Sequence, residues 1–287
     1  RSAMHATRRD AVKRIEALAT QGDWEAAYRQ CVLWDFATEA RMGFQLAFLR
    51  PFAVPRMADV LVASGHVHAD PERRSYRTGL LMHEIIYDGL SGDRARQSIA
   101  RINRAHRFPG IESQDMTYVL AAFMVVPTRY IERAGWRPML PVEREATVRF
   151  YQRLGELLAI KNIPATYHEA AELLDDYEAV MVHPSTATRA LGREVLAVLR
   201  RRLPAPLQPL AGPLFASQLR DPRLLDSLGI PSAPPPIGLV IDLAVHLRGV
   251  ITRHRPAPSG PSFTPGQPAG RVFADGYTLS DLTTPEE

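Results

Sequence analysis

The sequence predicts an all-α protein built as a single large helical domain. In segment after segment, apolar residues recur at intervals of three and four positions, which is the spacing of one helix face. Proline and glycine mark most boundaries between these segments, and no stretch shows the alternation that is typical of strands. We therefore expect a helical domain over residues 1–255. A proline- and glycine-rich tail over residues 256–287 should pack on that domain or extend from it.

Composition restricts the classes of partner and the compartment. The 287 residues are 46% hydrophobic and 23% charged, which indicates a soluble globular chain with a substantial core. The formal net charge is +4, but acidic residues are interspersed and no basic stripe carries interleaved aromatic residues, so no nucleic-acid partner is predicted. Cys31 is the only cysteine, which excludes a disulfide framework. The N-terminus lacks an apolar signal core, so we expect a cytoplasmic protein, with a removed leader left open.

The first quarter of the chain is predicted to form four helices without obvious chemistry. Asp23 follows a glycine break and should cap the second helix, because its carboxylate can accept a backbone N–H there. Pro51 ends the third helix and Pro55 begins the fourth. The four segments cover residues 7–20, 23–34, 42–51 and 55–65.

The helix that begins at Pro71 carries the first unusual polar group. Arg74, Arg77 and Thr78 are spaced to share one face, and that face continues into the apolar residue Leu81. Two arginines and a hydroxyl are uncommon on a stripe that faces a core, so we regard them as candidate site residues. The alternative is that the first turns are solvated and that burial begins only at Leu80.

The next helix, from Asp93 onward, carries a histidine on its predicted apolar side. Ile99 and Ile102 precede His106 by seven and four residues, so the three share a face. Asn103 lies beside this histidine, and Arg101 falls off the stripe, where it can reach solvent or an anionic ligand edge. A neutral imidazole directed into an apolar interior is what a porphyrin iron needs as its protein ligand. The alternative is a core histidine with a satisfied hydrogen bond.

A long apolar helix is predicted at the centre of the core. Ser113 is expected to cap it, and Pro127 lies inside it and should kink it. Its nearly continuous apolar run over residues 116–126 is too short to span a bilayer. Three further helices are predicted over residues 140–158, 166–182 and 184–199, the second of them opened by a capping box of Thr166 and Glu169.

Beyond Pro204 the chain is rich in proline and is predicted to form short helices over residues 210–219 and 222–228. Residues 237–251 are apolar on more than one side, but their short length and the presence of Asp242, His246 and Arg248 argue against a transmembrane span. We expect this segment to pack on the core, and peripheral contact with a membrane surface is the alternative. Residues 256–270 are expected to form a loop or to be disordered.

The chain resembles a known family, the mpaB-like oxygenases, which include the bacterial latex-clearing proteins. The similarity covers most of the chain, and it rests on the order and spacing of several short motifs. The motifs comprise residues 101–106, Asp115, residues 118–120, 127–129 and 135–138, and more loosely residues 163–167, Arg189 and residues 276–282.

The resemblance implies globin-like packing around a pocket for haem b, and oxidation of a hydrophobic substrate, isoprenoid or secondary metabolite, with molecular oxygen. His106 matches the family's iron ligand, and Arg74, Arg77 and Thr78 match the polar residues on the opposite side of the cofactor. Latex-clearing proteins have lysine in place of Arg77. Because arginine supplies no neutral nitrogen, a sixth iron position that is open or bound by water is expected. The cofactor-binding residues implied besides His106 are Asn103 and, as partners of the propionates, Arg101, Arg129 and Arg189.

Two other functional classes remain compatible with the sequence. One is a haem-binding sensor or carrier without turnover, and the other is a helical structural protein without haem. Nucleotide-dependent enzymes and serine hydrolases of the usual folds are disfavoured, because no GxGxxG, Walker or GxSxG motif occurs. A ferritin-like di-iron site is disfavoured as well, because the chain contains no ExxH tetrapeptide. The sequence leaves the substrate and the oligomeric state open.

Overall fold

The fold is described for residues 8–64 and 71–283 of a computed structural model. Residues 1–7, on which the expectation about a leader rests, lie outside this range. Thirteen α-helices occur in the described residues, together with short π- or 3₁₀-helical turns. In chain order the helices are α1 (Arg8–Thr20), α2 (Trp24–Gln30), α3 (Ala37–Leu49), α4 (Pro55–Ala63), α5 (Pro71–Asp88), α6 (Asp93–Ala105), α7 (Ser113–Ala134), α8 (Pro141–Leu157), α9 (Tyr167–Met181), α10 (Thr186–Arg202), α11 (Ala211–Leu219), α12 (Pro222–Leu228) and α13 (Pro235–His254).

The predicted all-α class is confirmed. Across the described ranges, residues of extended conformation pair only at an isolated bridge between Ala269 and Phe273. The helix starts follow local chemistry, as the sequence indicated for Asp23, whose Oδ1 accepts the N–H of Ala26 at 3.0 Å. Thr166 likewise accepts the N–H of Glu169 at 3.1 Å.

The predicted cap of α7 is wrong by one residue. Glu112 occupies the cap position, and Asp115 accepts its backbone N–H at 3.1 Å. The displacement has a tertiary cause, because Asp115 is held by an ion pair with Arg56 of α4 and by the hydroxyl of Tyr177 at 2.7 Å. Contacts from two other helices therefore place the carboxylate that closes the first turn of α7.

The most extensive helix pair is α3 with α7, and it depends on a glycine facing a proline. Pro127 lies inside α7, as the sequence predicted, and Gly43 of α3 meets it. A Cβ built on Gly43 would overlap the Cα of Pro127, so the two backbones touch without an intervening side chain. Around this crossing, Met124 and Val125 are completely buried. The central core of the protein is organised on this close approach.

The tail packs along α5. Phe263 is buried and lies against the ring of His83, with ring centroids 5.2 Å apart. Further along the tail, Gly270 has a φ of +59° and lies directly against Tyr76, where any Cβ would overlap the phenol ring. Only glycine fits both the backbone conformation and the contact at this position. The tail therefore covers one side of the helix that carries the predicted polar group.

A buried carboxylate fixes α5 to α6 and to the tail. Glu84 is completely buried on α5, and its oxygens accept hydrogen bonds from Arg94 of α6 at 2.6 and 2.8 Å. The same carboxylate accepts the hydroxyl of Tyr277 at 2.6 Å. Burial and this hydrogen bond raise the pKa of Tyr277 well above its usual value, so the phenol remains a donor. The carboxylate of Glu84 thus links α5, α6 and the tail, and its hydrogen-bonding capacity is satisfied by Arg94 and Tyr277.

Helix α13 departs from the expectation that it packs on the core. It is 20 residues long, which exceeds the apolar segment seen in the sequence. One side packs on α11 and α7, where Gly249 meets the carbonyl of Gly135, but the other side is apolar and exposed. Within the described ranges, α13 is the one helix that is long and apolar enough to cross a membrane, judged by length and composition alone. The length argument against such a span is therefore wrong.

We predict that Gly43→Ala destabilises the protein by about 1–3 kcal/mol or more, because the methyl group must push α3 away from Pro127. Gly238→Ala on α13 is the matched control, since a Cβ there meets nothing within 4 Å. The control should gain about 0.5–1 kcal/mol from the better helix propensity of alanine. Urea unfolding measures both changes, and equal effects of the two substitutions would contradict the close packing of α3 on α7.

Candidate functional site

The three candidate residues on α5 lie together within its first half and are all partly buried. Arg74, Arg77 and Thr78 are neither fully exposed nor sealed in the core. Burial lowers the pKa of Arg74, but an arginine stays protonated at neutral pH. Its Nε is buried and has no hydrogen-bond partner. Arg74 is therefore a largely desolvated cation, and its Nε–H is available to donate a further hydrogen bond.

Arg74 also lines an apolar cavity. The cavity has a volume of about 230 Å³ and lies between α3, α5, α10 and α11. Its wall is mostly aliphatic and aromatic, with Leu46 and Phe52 on one side and Val198 and Phe215 on the other. Polar groups are few, so the guanidinium of Arg74 faces a space that favours a hydrophobic occupant.

His106 lies just past the end of α6. The helix stops at Ala105, and His106 forms its C-cap, with its backbone N–H donating to the carbonyl of Ile102 at 3.0 Å. The predicted position on the apolar side of a continuing helix is therefore wrong. His106 is not packed into the core, and its side chain is exposed to solvent.

The pKa of His106 is shifted from its ordinary value. Desolvation by surrounding protein atoms, and to a smaller extent the positive charge of Arg74, lowers the pKa of His106 from 6.5 to about 4. The imidazole is therefore neutral at pH 7, which leaves one ring nitrogen with a lone pair. The charge effect also places Arg74 near this ring.

A second neutral histidine, His83, was not identified from the sequence as a site residue. It lies on α5 between Phe44 and Phe263, and its Nδ1 is 2.7 Å from the carbonyl oxygen of Gly79. Burial lowers the pKa of His83, so its ring is also neutral. It lies on the same helix as Thr78, but its aromatic neighbours come from α3 and from the tail. Only the tertiary structure brings them together.

The two remaining candidates on α6 have different surroundings. Asn103 donates from Nδ2 to the carbonyl of Leu157 at 3.2 Å, which fastens α6 to the end of α8. Arg101 donates from Nη1 to the carbonyl of Gln97, while its Nε is buried without a hydrogen-bond partner. Arg101 therefore retains donor capacity near the end of the helix that carries His106.

Arg129 and Arg189 are not grouped with the residues of α5 and α6 by any contact seen in the structure. Arg129 forms a two-point pair with Asp175 of α9, at 2.8 and 2.7 Å, and this hydrogen-bonded pair lowers the pKa of Asp175. Arg189 is exposed on α10 and lies against Gly229 at the end of α12. The spacing of these arginines in the sequence gave no information about either partner.

Comparison of the sequence with known protein families identifies the family to which this chain belongs. The profile of the family described as "ER-bound oxygenase mpaB/B'/Rubber oxygenase, catalytic domain" matches residues 34–247. That range includes Arg74, Arg77, Thr78 and His106, and it ends within α13. The tail that packs along α5 therefore lies outside the match.

The sequence identity to individual relatives is low. The chain is 28% identical over 233 residues to the ER-bound oxygenase mpaB' of Penicillium brevicompactum, covering 75% of this chain and 55% of that protein. It is also 28% identical over 199 residues to the ER-bound oxygenase mpaB of Penicillium roqueforti, covering 63% of this chain and 66% of the relative. The chain thus spans between about half and two thirds of the length of these relatives.

A solved structure shares the fold. A latex clearing protein in its closed state superposes with a TM-score of 0.63 at 17% identity, over 91% of this chain and 71% of that one. At this level of identity the similarity concerns the fold alone.

The lowered pKa of His106 predicts that the stability of the protein falls in acid. The folded pKa of His106, about 4, lies below the unfolded value near 6.5, so the unfolded state binds more protons between these pH values. Stability should therefore be fully present above pH 6.5 and decline as pH falls toward 4, and His106→Gln should remove part of the decline. Titration by NMR should place the ring near pH 4 and show a higher pKa in Arg74→Gln. A wild-type ring that titrates near 6.5 would contradict the desolvation of His106.

Proposed function

Because the chain belongs to the family of mpaB and rubber-oxygenase catalytic domains, we propose that it is a haem b-dependent oxygenase that acts with molecular oxygen on a hydrophobic small molecule. One observation carries the proposal. A neutral imidazole, His106, and a desolvated cation, Arg74, lie near each other, and the same cation lines an apolar cavity.

The residues present fit a haem. A porphyrin iron needs only one ligand from the protein, and a neutral histidine serves. The described residues contain no cluster of three or more His, Cys, Asp or Glu side chains that could hold a metal ion by themselves, and a haem requires none. The propionates are carboxylates, and the buried Nε groups of Arg74 and Arg101 are donors without partners. When bound, the haem would supply the oxygen chemistry that amino-acid side chains cannot provide.

The chain's own residues would bind and orient the substrate and would supply hydrogen-bond donors. Arginine remains protonated at neutral pH and cannot act as a base there. The guanidinium groups of Arg74 and Arg77 would therefore stabilise negative charge that develops nearby. Thr78 carries a hydroxyl that can donate a hydrogen bond or pass on a proton. Apolar side chains around the cavity exclude water, which strengthens these interactions.

The substrate class follows from the cavity and from the names of the relatives. An apolar wall binds hydrocarbon through desolvation and offers few polar groups to compensate a hydrophilic ligand. Rubber appears in the description of the family, and latex appears in the name of the protein that shares the fold. We therefore propose an isoprenoid or similarly apolar substrate for this chain.

The first test concerns the ligand. After reconstitution with haem, the wild-type protein should show a Soret band, and His106→Gln should weaken haem binding by about tenfold or more, on the order seen when a ligand contact is lost. His83→Gln is the matched control, because His83 is also neutral but already hydrogen-bonded to Gly79 and enclosed by aromatic rings. Loss of the spectrum in His83→Gln with retention in His106→Gln would reassign the ligand.

The second test separates turnover from haem binding alone. Val198→Trp should fill the cavity and reduce kcat/KM for an isoprenoid chain by about tenfold or more, while the Soret band stays unchanged. Val180→Trp, on the exposed surface of α9, is the control and should leave both properties intact. A wild-type protein that binds haem but consumes no oxygen with any apolar substrate would instead be a carrier or sensor.

A further inference from the structure

Helix α13 presents a continuous apolar face that no described part of the chain covers. Leu239, Leu243, Leu247 and Val250 follow one another at intervals of four and three residues, so they line one side of the helix. Val240 and Ile251 widen the same side. All six large aliphatic side chains are exposed, from 43% at Val250 to 72% at Leu239. The face contains no Asp, Glu, Lys or Arg residue, and exposed His246 lies at its edge.

The opposite side of α13 is anchored to the protein. Gly249 lies against the carbonyls of Ala134 and Gly135 at the end of α7. Asp242 pairs with Arg220, and Arg248 donates to buried Glu39 at 2.6 Å. A helix held in this way cannot be surrounded by lipid, because its ion pairs and close backbone contacts would have to break. The protein therefore covers one side of α13, and a partner can contact only the exposed apolar face on the other side.

The charges around the face fit an anionic surface. Arg253, His254 and Arg255 follow one another at the C-terminal end of α13, and all three are exposed. Arg8 joins them, since its Nε donates to the carbonyl of Arg255 at 3.2 Å. An apolar face bordered by arginine is the pattern of a helix that lies in the plane of a bilayer, where apolar side chains enter the acyl region and cations meet phosphate groups.

The location of the cavity favours lipid over a second copy of the chain. Helix α11 packs against α13, and it also supplies Ala211, Leu214 and Phe215 to the wall of the apolar cavity. If this surface contacts a bilayer, the apolar cavity lies close to the lipid phase, in which apolar molecules dissolve. This step alone rests on the proposed function. In contrast, six side chains on one helix fall short of the roughly 20 residues per partner in a stable protein interface.

We propose that α13 docks this protein on the surface of a phospholipid bilayer that contains anionic lipids. The exposed aliphatic side chains enter the interface, and the arginines at the end of the helix bind the headgroups. The helix lies in the membrane plane and does not cross the bilayer, because its inner side stays packed on α7 and α11.

The test is flotation of the purified full chain with vesicles of phosphatidylcholine alone or of an equimolar mixture with phosphatidylglycerol. The wild-type protein should float with the mixed vesicles. The double variant Leu243→Gln/Leu247→Gln should partition at least about tenfold more weakly, because two buried aliphatic groups are lost. Arg253→Gln/Arg255→Gln should weaken binding to the mixed vesicles only. Val180→Gln, which alters an equally exposed aliphatic residue on α9, should behave as the wild type.

Sedimentation analysis and thermal unfolding accompany the flotation. All variants change exposed side chains, so their unfolding temperatures should match the wild type, and Leu239→Gln replaces the double variant if that one is unstable. The proposal is overturned if the wild-type protein does not float, or if Val180→Gln weakens binding as much as the α13 variants. It is also overturned if the wild type is a dimer that Leu243→Gln/Leu247→Gln converts to a monomer, since the face would then join two copies. None of these readouts requires haem or turnover.

Discussion

The buried carboxylate of Glu84 is the constraint on which the candidate site depends. A charge enclosed on α5 is tolerated only when its lone pairs are satisfied, and here Arg94 of α6 and Tyr277 of the tail satisfy them. Because α5 carries Arg74 and His106 directly follows α6, the same interaction sets the relative position of the two groups. A change at Glu84 would therefore alter how Arg74 and His106 are placed, although the carboxylate is not part of the candidate site.

Arg74 and His106 form a pair of basic groups in which only the arginine is charged at neutral pH. Arg74 remains charged while burial and this same charge keep His106 neutral, so the pair cannot both be protonated near pH 7. Removing solvent from a cation without pairing it is costly, and a carboxylate-bearing ligand would offset that cost. The proposed haem would offer a metal to the neutral ring and carboxylates to the buried Nε donors of Arg74 and Arg101.

Much of the fold and part of the site followed from local sequence patterns. Three- and four-residue spacing predicted the helices, side-chain acceptors such as Asp23 and Thr166 predicted their starts, and the shared face of Arg74, Arg77 and Thr78 was visible at once. The sequence was uninformative where a distant partner decides which contact a residue makes. Arg129 is paired with Asp175 from another helix, and the spacing of residues along one helix carries no information about such a partner.

The sequence by itself determined the helical class, most helix boundaries and the residue types at the site, because these depend on neighbours within about one helical turn. Only the tertiary structure decided that the proline- and glycine-rich tail packs along α5 through Gly270 and Tyr277, and that His106 lies exposed beyond its helix end. It also decided that α13 packs on α7 and α11 through one side while its large aliphatic side chains on the other side are exposed. These outcomes depend on contacts between residues far apart in the chain, which no local pattern encodes.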